Sequence, residues 1–321
     1  MKKVVSIILT SLFVLTGCSS TSDTTVATAT VSTTSNPTSD VVYTPNLKIL
    51  APGGAPALSQ IGAIEAGYDV EITDGPDKLQ AELINADSEY DVIVAPTNLG
   101  VKLASAGKSE YKLLDVVTWG NLYLVGPADT DLETANIVGF GEQAVTGLVF
   151  KAIYPELADK VNWGYASVTE AQAALLSEQA EVAILAEPVA TATIAKAKEQ
   201  GKELTILADL QELWNGGQGY PQAGIFVKAD AYESDRDEYD NYMSIIYTYI
   251  NDVENSEDKS IVVNSIDTIG AENLSVPSSA IVSKVWDRLN IHPTQASSVS
   301  DQVAEFLQLF DGNDVTSAII E

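Results

Sequence analysis

The chain has 321 residues and a formal net charge of −28, from 45 acidic and 17 basic side chains. This balance argues against nucleic acid or an anionic membrane surface as a partner, because a phosphate binder needs a basic face that releases counterions. Hydrophobic residues make up 45% of the chain, which predicts a globular body of about two domains. The lone cysteine excludes a disulfide framework, so stability must come from ordinary cores.

The first residues predict an export signal. Met1-Lys2-Lys3 precedes an uncharged apolar run from Val4 to Leu15, and Leu15-Thr16-Gly17-Cys18 follows. The run has about 12 residues, whereas a transmembrane helix needs about 20, so a cleaved signal is favoured over an uncleaved anchor. The order resembles the lipobox of bacterial lipoproteins. It implies a signal peptide over residues 1–17 and a lipid, palmitate included, on Cys18; a buried core cysteine is the weaker alternative.

Residues 18–44 form the next segment, which is rich in Ser, Thr, Ala and Val and shows neither helical nor strand periodicity. Such a composition cannot bury enough surface to offset its ordering entropy. We therefore expect a disordered tether between the lipid and the folded body.

The body begins with alternating strands and helices. Strands are predicted at Leu47–Leu50, Val70–Ile72 and Tyr90–Val94, and Leu79, Leu83 and Ile84 mark one face of a helix between the last two. Strand, helix and strand in succession predict a parallel sheet with crossover helices.

A similar cycle restarts after Val125-Gly126-Pro127. The strand Ile137–Phe140 leads into a helix through Leu148 and Ile153, and further strands are predicted at Val182–Leu185 and Leu204–Leu207. The pattern predicts a second α/β lobe.

The C-terminal part is predicted to be helical. Its apolar residues recur at intervals of three and four, which marks one buried face on each helix. The members are Tyr239, Tyr242, Met243, Ile246, Tyr249, Ile250 and Val253, then Ile281, Val285, Trp286 and Leu289, and finally Val299, Val303, Phe306, Leu307 and Phe310.

Four motifs, in this order, point to a known family. They are Ala51–Ala57 with its glycine pair, Asp91–Pro96 followed by Thr97-Asn98, the turn Gly139–Thr146, and Ala186-Glu187-Pro188. Together with the signal they resemble the extracytoplasmic substrate-binding lipoproteins of ABC importers, in the group of nitrate, sulfonate, taurine and thiamine-pyrimidine binders.

The resemblance implies an α/β periplasmic-binding-protein-like clamp of two lobes. Each lobe would be a mixed, mostly parallel sheet flanked by helices, with residues 45–125 and 226–321 in lobe 1, residues 126–225 in lobe 2, and two chain crossings at the hinge. The implied partners are a small-molecule ligand and ABC permease subunits, with membrane contact through the lipid anchor only. We expect a monomer, without cofactor or metal, on the outer face of the bacterial cell membrane.

The candidate ligand-binding residues lie in loops expected at the carboxyl ends of strands, where parallel sheets collect ligands. A simple turn explains the glycines equally well, and helix capping explains the threonines and Asn98 equally well. Glu187 is either an acid at the cleft rim or a solvated surface acid. The set is Gly53, Gly54, Ala55, Thr97, Asn98, Gln143, Thr146 and Glu187, with Trp119, Asn121 and Tyr220 near the lobe crossings.

The charge of these loops indicates the ligand class. They contain Glu142 and Glu187 but no Arg or Lys, whereas an oxoanion site usually presents cations or several donors. A neutral or cationic organic ligand is therefore favoured. Trp119 and Tyr220 could cover a flat ring or a cation, or could simply pack.

No catalytic residues are predicted. His292 is the only histidine, no cysteine remains for nucleophilic chemistry, and Asp311–Asp314 lacks the spacing of a calcium loop. The alternatives left open are a non-transport surface sensor or adhesion module on the same fold and, less favoured, a thiamine-pyrimidine-synthase-like enzyme.

Overall fold

The computed structural model describes residues 44–312 and 315–321. The predicted signal peptide, Cys18 and almost the whole tether lie outside the described residues. The strands are β1 Lys48–Pro52, β2 Asp69–Thr73, β3 Val92–Pro96, β4 Tyr111–Thr118, β5 Leu122–Gly126, β6 Ile137–Phe140, β7 Asn162–Tyr165, β8 Val182–Ala186, β9 Thr205–Asp209, β10 Ala223–Lys228 and β11 Ile291–Gln295.

The α-helices follow most strands directly, as crossover connections do. They are α1 Ala55–Ser59, α2 Ile61–Ala66, α3 Pro76–Ile84, α4 Thr97–Ser105, α5 Val145–Ile153, α6 Val168–Leu176, α7 Val189–Glu199, α8 Leu210–Leu213, α9 Ala229–Ser234, α10 Arg236–Asn255, α11 Ser260–Ile269, α12 Ser279–Val285 and α13 Ser300–Leu307. Short 3-10 turns extend several of them, including Trp286–Leu289 after α12 and Gln308–Phe310 after α13.

Two mixed sheets form the framework. The first has the order β11-β4-β10-β3-β1-β2 and the second has the order β7-β6-β8-β5-β9. In each, a parallel part (β1, β2 and β3; β6, β7 and β8) is extended by antiparallel strands. The predicted α/β fold with two mixed sheets is confirmed, with a larger antiparallel share than the sequence pattern indicated.

The chain passes between the sheets earlier than predicted. β4 ends at Thr118 in the first sheet and β5 begins at Leu122 in the second, so the first crossing is Trp119-Gly120-Asn121. Leu122–Val125, which the predicted boundary placed in lobe 1, therefore pairs in the second sheet. Gly120, with φ +87°, is the break between the two apolar runs. On the return, Ala223–Ile225 already pair in the first sheet.

Both faces of each sheet are covered by apolar side chains, and alternate residues along a strand enter different cores. In β1, Ile49 and Ala51 join one core while Leu50 joins the core on the opposite face. In β5, Leu122 and Leu124 face one way and Tyr123 and Val125 the other. Because these strands are buried on both faces, their sequences are continuous apolar runs and do not alternate between apolar and polar residues.

The C-terminal segment packs against both sheets. β11 pairs with β4 at the edge of the first sheet, whereas Phe306 and Phe310 enter a core of the second sheet. The Phe306 ring stacks on Tyr220 at 5.7 Å between centroids. The tail thus belongs to both halves, although the predicted boundaries assigned it to lobe 1 alone.

Candidate functional site

A cleft of about 930 Å³ lies between the two sheets. On one side it is lined by the loops that follow β1, β2 and β3, and on the other by those that follow β6, β7 and β8. Ligands in α/β sheets bind beyond the carboxyl ends of strands, because helices begin there with unpaired backbone N–H groups. The cleft volume lies within the range typical of small-molecule sites.

The predicted glycine loop lies at this cleft. Gly53, Gly54 and Ala55 all line it, and Gly54 adopts φ +83°, a conformation that L side chains rarely reach. A Cβ atom on Gly53 would lie 2.4 Å from the Cβ of Ser275. Gly53 is therefore explained by the close approach of Ser275, a residue that sequence reasoning missed and that lies 222 positions further along the chain in a turn without a recognisable motif.

The first turn of α4, which follows β3 directly, contributes Asn98, while Thr97 lies just beneath the cleft surface. Thr97 is fully buried, its backbone N–H donates to the Gln222 carbonyl at 3.0 Å, and it does not line the cleft. Gln222, at the return crossing, does line it. The two residues bring the ends of β3 and β10 together on the cleft floor.

Asn121 occupies the first crossing and is 3% exposed. Its Nδ2 donates to the Glu187 carbonyl at 3.1 Å, and its own carbonyl accepts from the Glu187 N–H at 2.9 Å. Because both bonds fix its orientation, the side-chain oxygen Oδ1 is turned away from Glu187. Asn121 thus ties the crossing to the end of β8.

Glu187 lines the cleft, but its side chain is fully buried and already paired. Its Oε1 accepts from Arg288 Nε at 3.0 Å and from Thr191 Oγ1 at 2.7 Å, and its Oε2 accepts from the Thr191 N–H at 3.1 Å. The predicted free acid at the rim is thus a neutralised carboxylate that also satisfies an N–H in the first turn of α7.

The loop before α5 contributes Gln143, which is exposed, and the first turn of α5 contributes Thr146, which is 5% exposed. Glu142, which the sequence analysis counted among the cleft acids, does not line the cleft, because its carboxylate pairs with Lys151 at 2.8 Å.

Two predicted aromatic residues lie elsewhere. Tyr220 is fully buried in a core of the second sheet, where burial raises the pKa of its hydroxyl and the hydroxyl donates to Gln211 Oε1 at 2.9 Å. Trp119 lines a separate cavity of about 610 Å³, and its Nε1 donates to the His292 carbonyl at 2.9 Å. Neither ring reaches the cleft, so long-range packing explains both.

Three side-chain oxygens on the cleft lining are buried without a hydrogen-bond partner: Asn98 Oδ1, Asn121 Oδ1 and Gln222 Oε1. The hydroxyls of Thr97 and Thr118 at the same strand ends are also unpartnered. Buried polar atoms are normally paired, so such a cluster requires an explanation.

Sequence reasoning missed two further stretches of the lining. One is Thr73–Pro76 after β2, where the Gly75-Pro76 pair was an available turn signal. The other is Ser167–Thr169 at the start of α6. Ser167 caps α6 by accepting from the Glu170 N–H, and the Glu170 carboxylate accepts from the Ala166 N–H, so the Ser-x-x-Glu spacing could have located the helix start.

The described residues offer no group of three or more His, Cys, Asp or Glu side chains that could hold a metal ion. His292 is exposed, and its Nδ1 lies 2.9 Å from Glu254 Oε1. Within residues 44–312 and 315–321, no helix has the length and apolarity needed to cross a membrane.

Solved structures identify the architecture. An ABC transporter protein from Parabacteroides distasonis matches 87% of this chain over 99% of its own length, with 21% identity and a TM-score of 0.69. A Candida albicans gene product described as having the generic periplasmic binding protein structural fold matches 86% of this chain and 96% of its own, with 12% identity and a TM-score of 0.56. The chain has the periplasmic-binding-protein fold.

A third neighbour with this fold is the periplasmic aliphatic sulphonate binding protein of Escherichia coli. It has 11% identity and a TM-score of 0.62, with 86% of this chain and 92% of that chain covered. No protein-family model and no curated sequence matches the chain. The comparisons thus confirm the fold that the predicted resemblance implied.

Proposed function

We propose that this protein is a solute-binding lipoprotein that captures a small organic molecule between its two sheets and delivers it to the permease subunits of an ABC importer. The observation that carries the proposal is the cleft of about 930 Å³, lined by strand-end loops of both sheets. Each sheet has its own cores, so movement about the crossings at Trp119–Asn121 and near Gln222 can open and close the gap without breaking a sheet.

The neighbours support this role. The Escherichia coli protein is described as binding aliphatic sulphonates, and a Staphylococcus aureus neighbour is described as the ligand-binding component of an ABC-type import system. In the same proposal, Gly54, Asn98, Asn121, Gln143 and Thr146 contact the ligand, and the molecule leaves the cleft unchanged.

A thermal-shift screen of pyrimidines, amines, sulfonates and small oxoanions against the purified full chain tests the proposal. A solute that binds only the folded state raises the melting temperature as its concentration increases. Mass spectrometry of the recovered solute should show an unchanged molecule. Conversion of the solute would indicate an enzyme, and the absence of a shift with every class would favour an adhesion module.

The proposed anchor has a separate test. Metabolic labelling with a fatty acid should label the wild type and leave Cys18→Ser unlabelled and released from the membrane fraction. A Cys18→Ser variant that is still labelled and membrane-bound would refute the proposed lipid tether at the outer face of the membrane. It would not affect the proposed binding role.

A further inference from the structure

The cleft floor presents hydrogen-bond acceptors that have no partner in the protein. Asn98, Asn121 and Gln222 each place a buried, unpartnered amide oxygen on the lining. An amide oxygen can only accept, and leaving such an atom buried and unpaired destabilises the protein. The floor is therefore complementary to a molecule that brings hydrogen-bond donors.

The orientation of Asn121 makes this conclusion firm for at least one of the three residues. Exchanging its amide nitrogen and oxygen would break the bond from Nδ2 to the Glu187 carbonyl and would bring two oxygens together at the present separation of 3.1 Å. Oδ1 must therefore remain the atom that faces away from Glu187. Since Asn121 is 3% exposed, water from the bulk does not reach this oxygen freely.

The charges around the cleft disfavour an anion. Among the described residues that line it there is no Lys, Arg or His, and the acids are Asp74 and Glu187. Arg288 pairs with the Glu187 carboxylate at 2.9 Å and so contributes no free positive charge. The exposed Asp74 adds a negative charge at the rim.

Helix N-termini could hold an anion without any cation, because their backbone N–H groups and dipoles favour negative charge. Of those at the cleft, α6 and α7 already have side-chain acceptors from the protein, whereas α1, α3, α4 and α5 have no side-chain cap. At α7, the Glu187 carboxylate accepts from the Thr191 N–H at 3.1 Å. At α6, Ser167 Oγ accepts from the Glu170 N–H at 3.3 Å, and the Glu170 carboxylate accepts from the Ala166 N–H at 2.8 Å.

From these observations, and resting on the proposed solute-binding function, we infer that the ligand is a nitrogen compound without net negative charge. Its N–H donors, from an amine, an amide or an amino-substituted ring, bind the amide oxygens of Asn98, Asn121 and Gln222. The inference separates this chain from the neighbour that is described as binding sulphonates.

Substitutions of Gln222 test the inference most directly. Gln222 is partly exposed, and its replacement would break no side-chain hydrogen bond of its own. Gln222→Met keeps the length of the side chain and removes the acceptor. Gln222→Glu keeps the acceptor and adds a negative charge. The probes are 4-aminopyrimidine, n-propylamine and 1-propanesulfonate, each titrated to about 10 mM against the full chain in a thermal-shift assay.

At least one of the two nitrogen probes should stabilise the wild type, and Gln222→Met should weaken its affinity about tenfold. Gln222→Glu should preserve or strengthen the binding of propylamine. If Gln222→Met does not fold, Asn98→Leu replaces it. Two outcomes overturn the inference: no stabilisation by either nitrogen probe, or stabilisation by propanesulfonate that Gln222→Met leaves unchanged. Sulfonate binding would overturn the ligand class while supporting solute capture, so failure of the inference and failure of the proposed function remain distinguishable.

Discussion

The pair formed by Arg288 and Glu187 should be a main support of the hinge region. Arg288 follows α12 in the C-terminal part of the chain, whereas Glu187 follows β8 of the second sheet. The Glu187 carboxylate is fully buried, and the Arg288 side chain is 41% exposed. Replacing Arg288 with Met leaves a buried carboxylate with only Thr191 as a partner.

Removing one partner of a fully buried pair costs about 3–5 kcal/mol. Because Arg288 is partly solvated, we expect the lower end of this range, about 3 kcal/mol, for Arg288→Met. For a domain of this size that loss corresponds to a decrease in melting temperature of roughly 6–12 °C. Urea and thermal unfolding followed by tryptophan fluorescence measure both quantities.

Two further variants isolate the cause. The double variant Arg288→Met with Glu187→Gln should be more stable than Arg288→Met alone, because it no longer buries an uncompensated charge. Arg236→Met is the matched control, since Arg236 is the other arginine of the chain and is exposed. If Arg288→Met and Arg236→Met unfold within about 0.5 kcal/mol of each other, the reasoning about the buried carboxylate is refuted.

Thr118→Val removes a buried, unpartnered hydroxyl and should stabilise the ligand-free protein by about 1 kcal/mol. Thr193→Val removes a hydroxyl bonded to Gln172 and should destabilise the protein. Urea unfolding measures both changes, and a destabilised Thr118→Val would contradict the first expectation. Burial raises the pKa of the Asp115 carboxyl to about 6, so the stability of the wild type relative to Asp115→Asn should fall by about 3 kcal/mol as the pH rises from roughly 4 to 6. Unfolding curves of the two proteins that stay parallel over this window would count against that shift. Phe306→Ala should cost about 3–5 kcal/mol, because the fully buried ring stacks on Tyr220; a loss below 1 kcal/mol in chemical denaturation would show that the core refills the space.

Local patterns predicted much of the fold. The spacing of Tyr242, Ile246 and Val253 predicted α10, because a helix that packs on one side repeats its apolar residues every three to four positions. Strands β1, β3, β6 and β8 were also predicted, as short apolar runs followed by glycine, proline or capping residues. These signals depend only on neighbours along the chain.

Other elements lacked such a signal. β4 and β5 are buried on both faces and are separated by three residues, of which only Gly120 marks the passage from one sheet to the other. The sequence pattern placed the crossing near Val125, since no alternation distinguished the two strands. Turn chemistry at Gly120 was the signal available.

The candidate cleft was predictable in outline and not in its interactions. Gly54, Asn98 and Asn121 were placed near the cleft because they follow or connect strands. The pairing of Glu187 with Arg288 joins residues 101 positions apart, and no sequence pattern reports such a contact. The unpartnered oxygens are likewise visible only when every neighbour in space is known.

The burial of Phe306 in the second sheet's core has a consequence for how the chain matures. During synthesis the strands of that sheet are complete by Asp209, yet the ring that stacks on Tyr220 is made almost a hundred residues later. Until then the Tyr220 ring lacks this stacking partner, so the core of the second sheet is completed only once α13 has been made. A chain truncated before residue 306 should therefore expose apolar surface around Tyr220 and unfold more easily than the full chain.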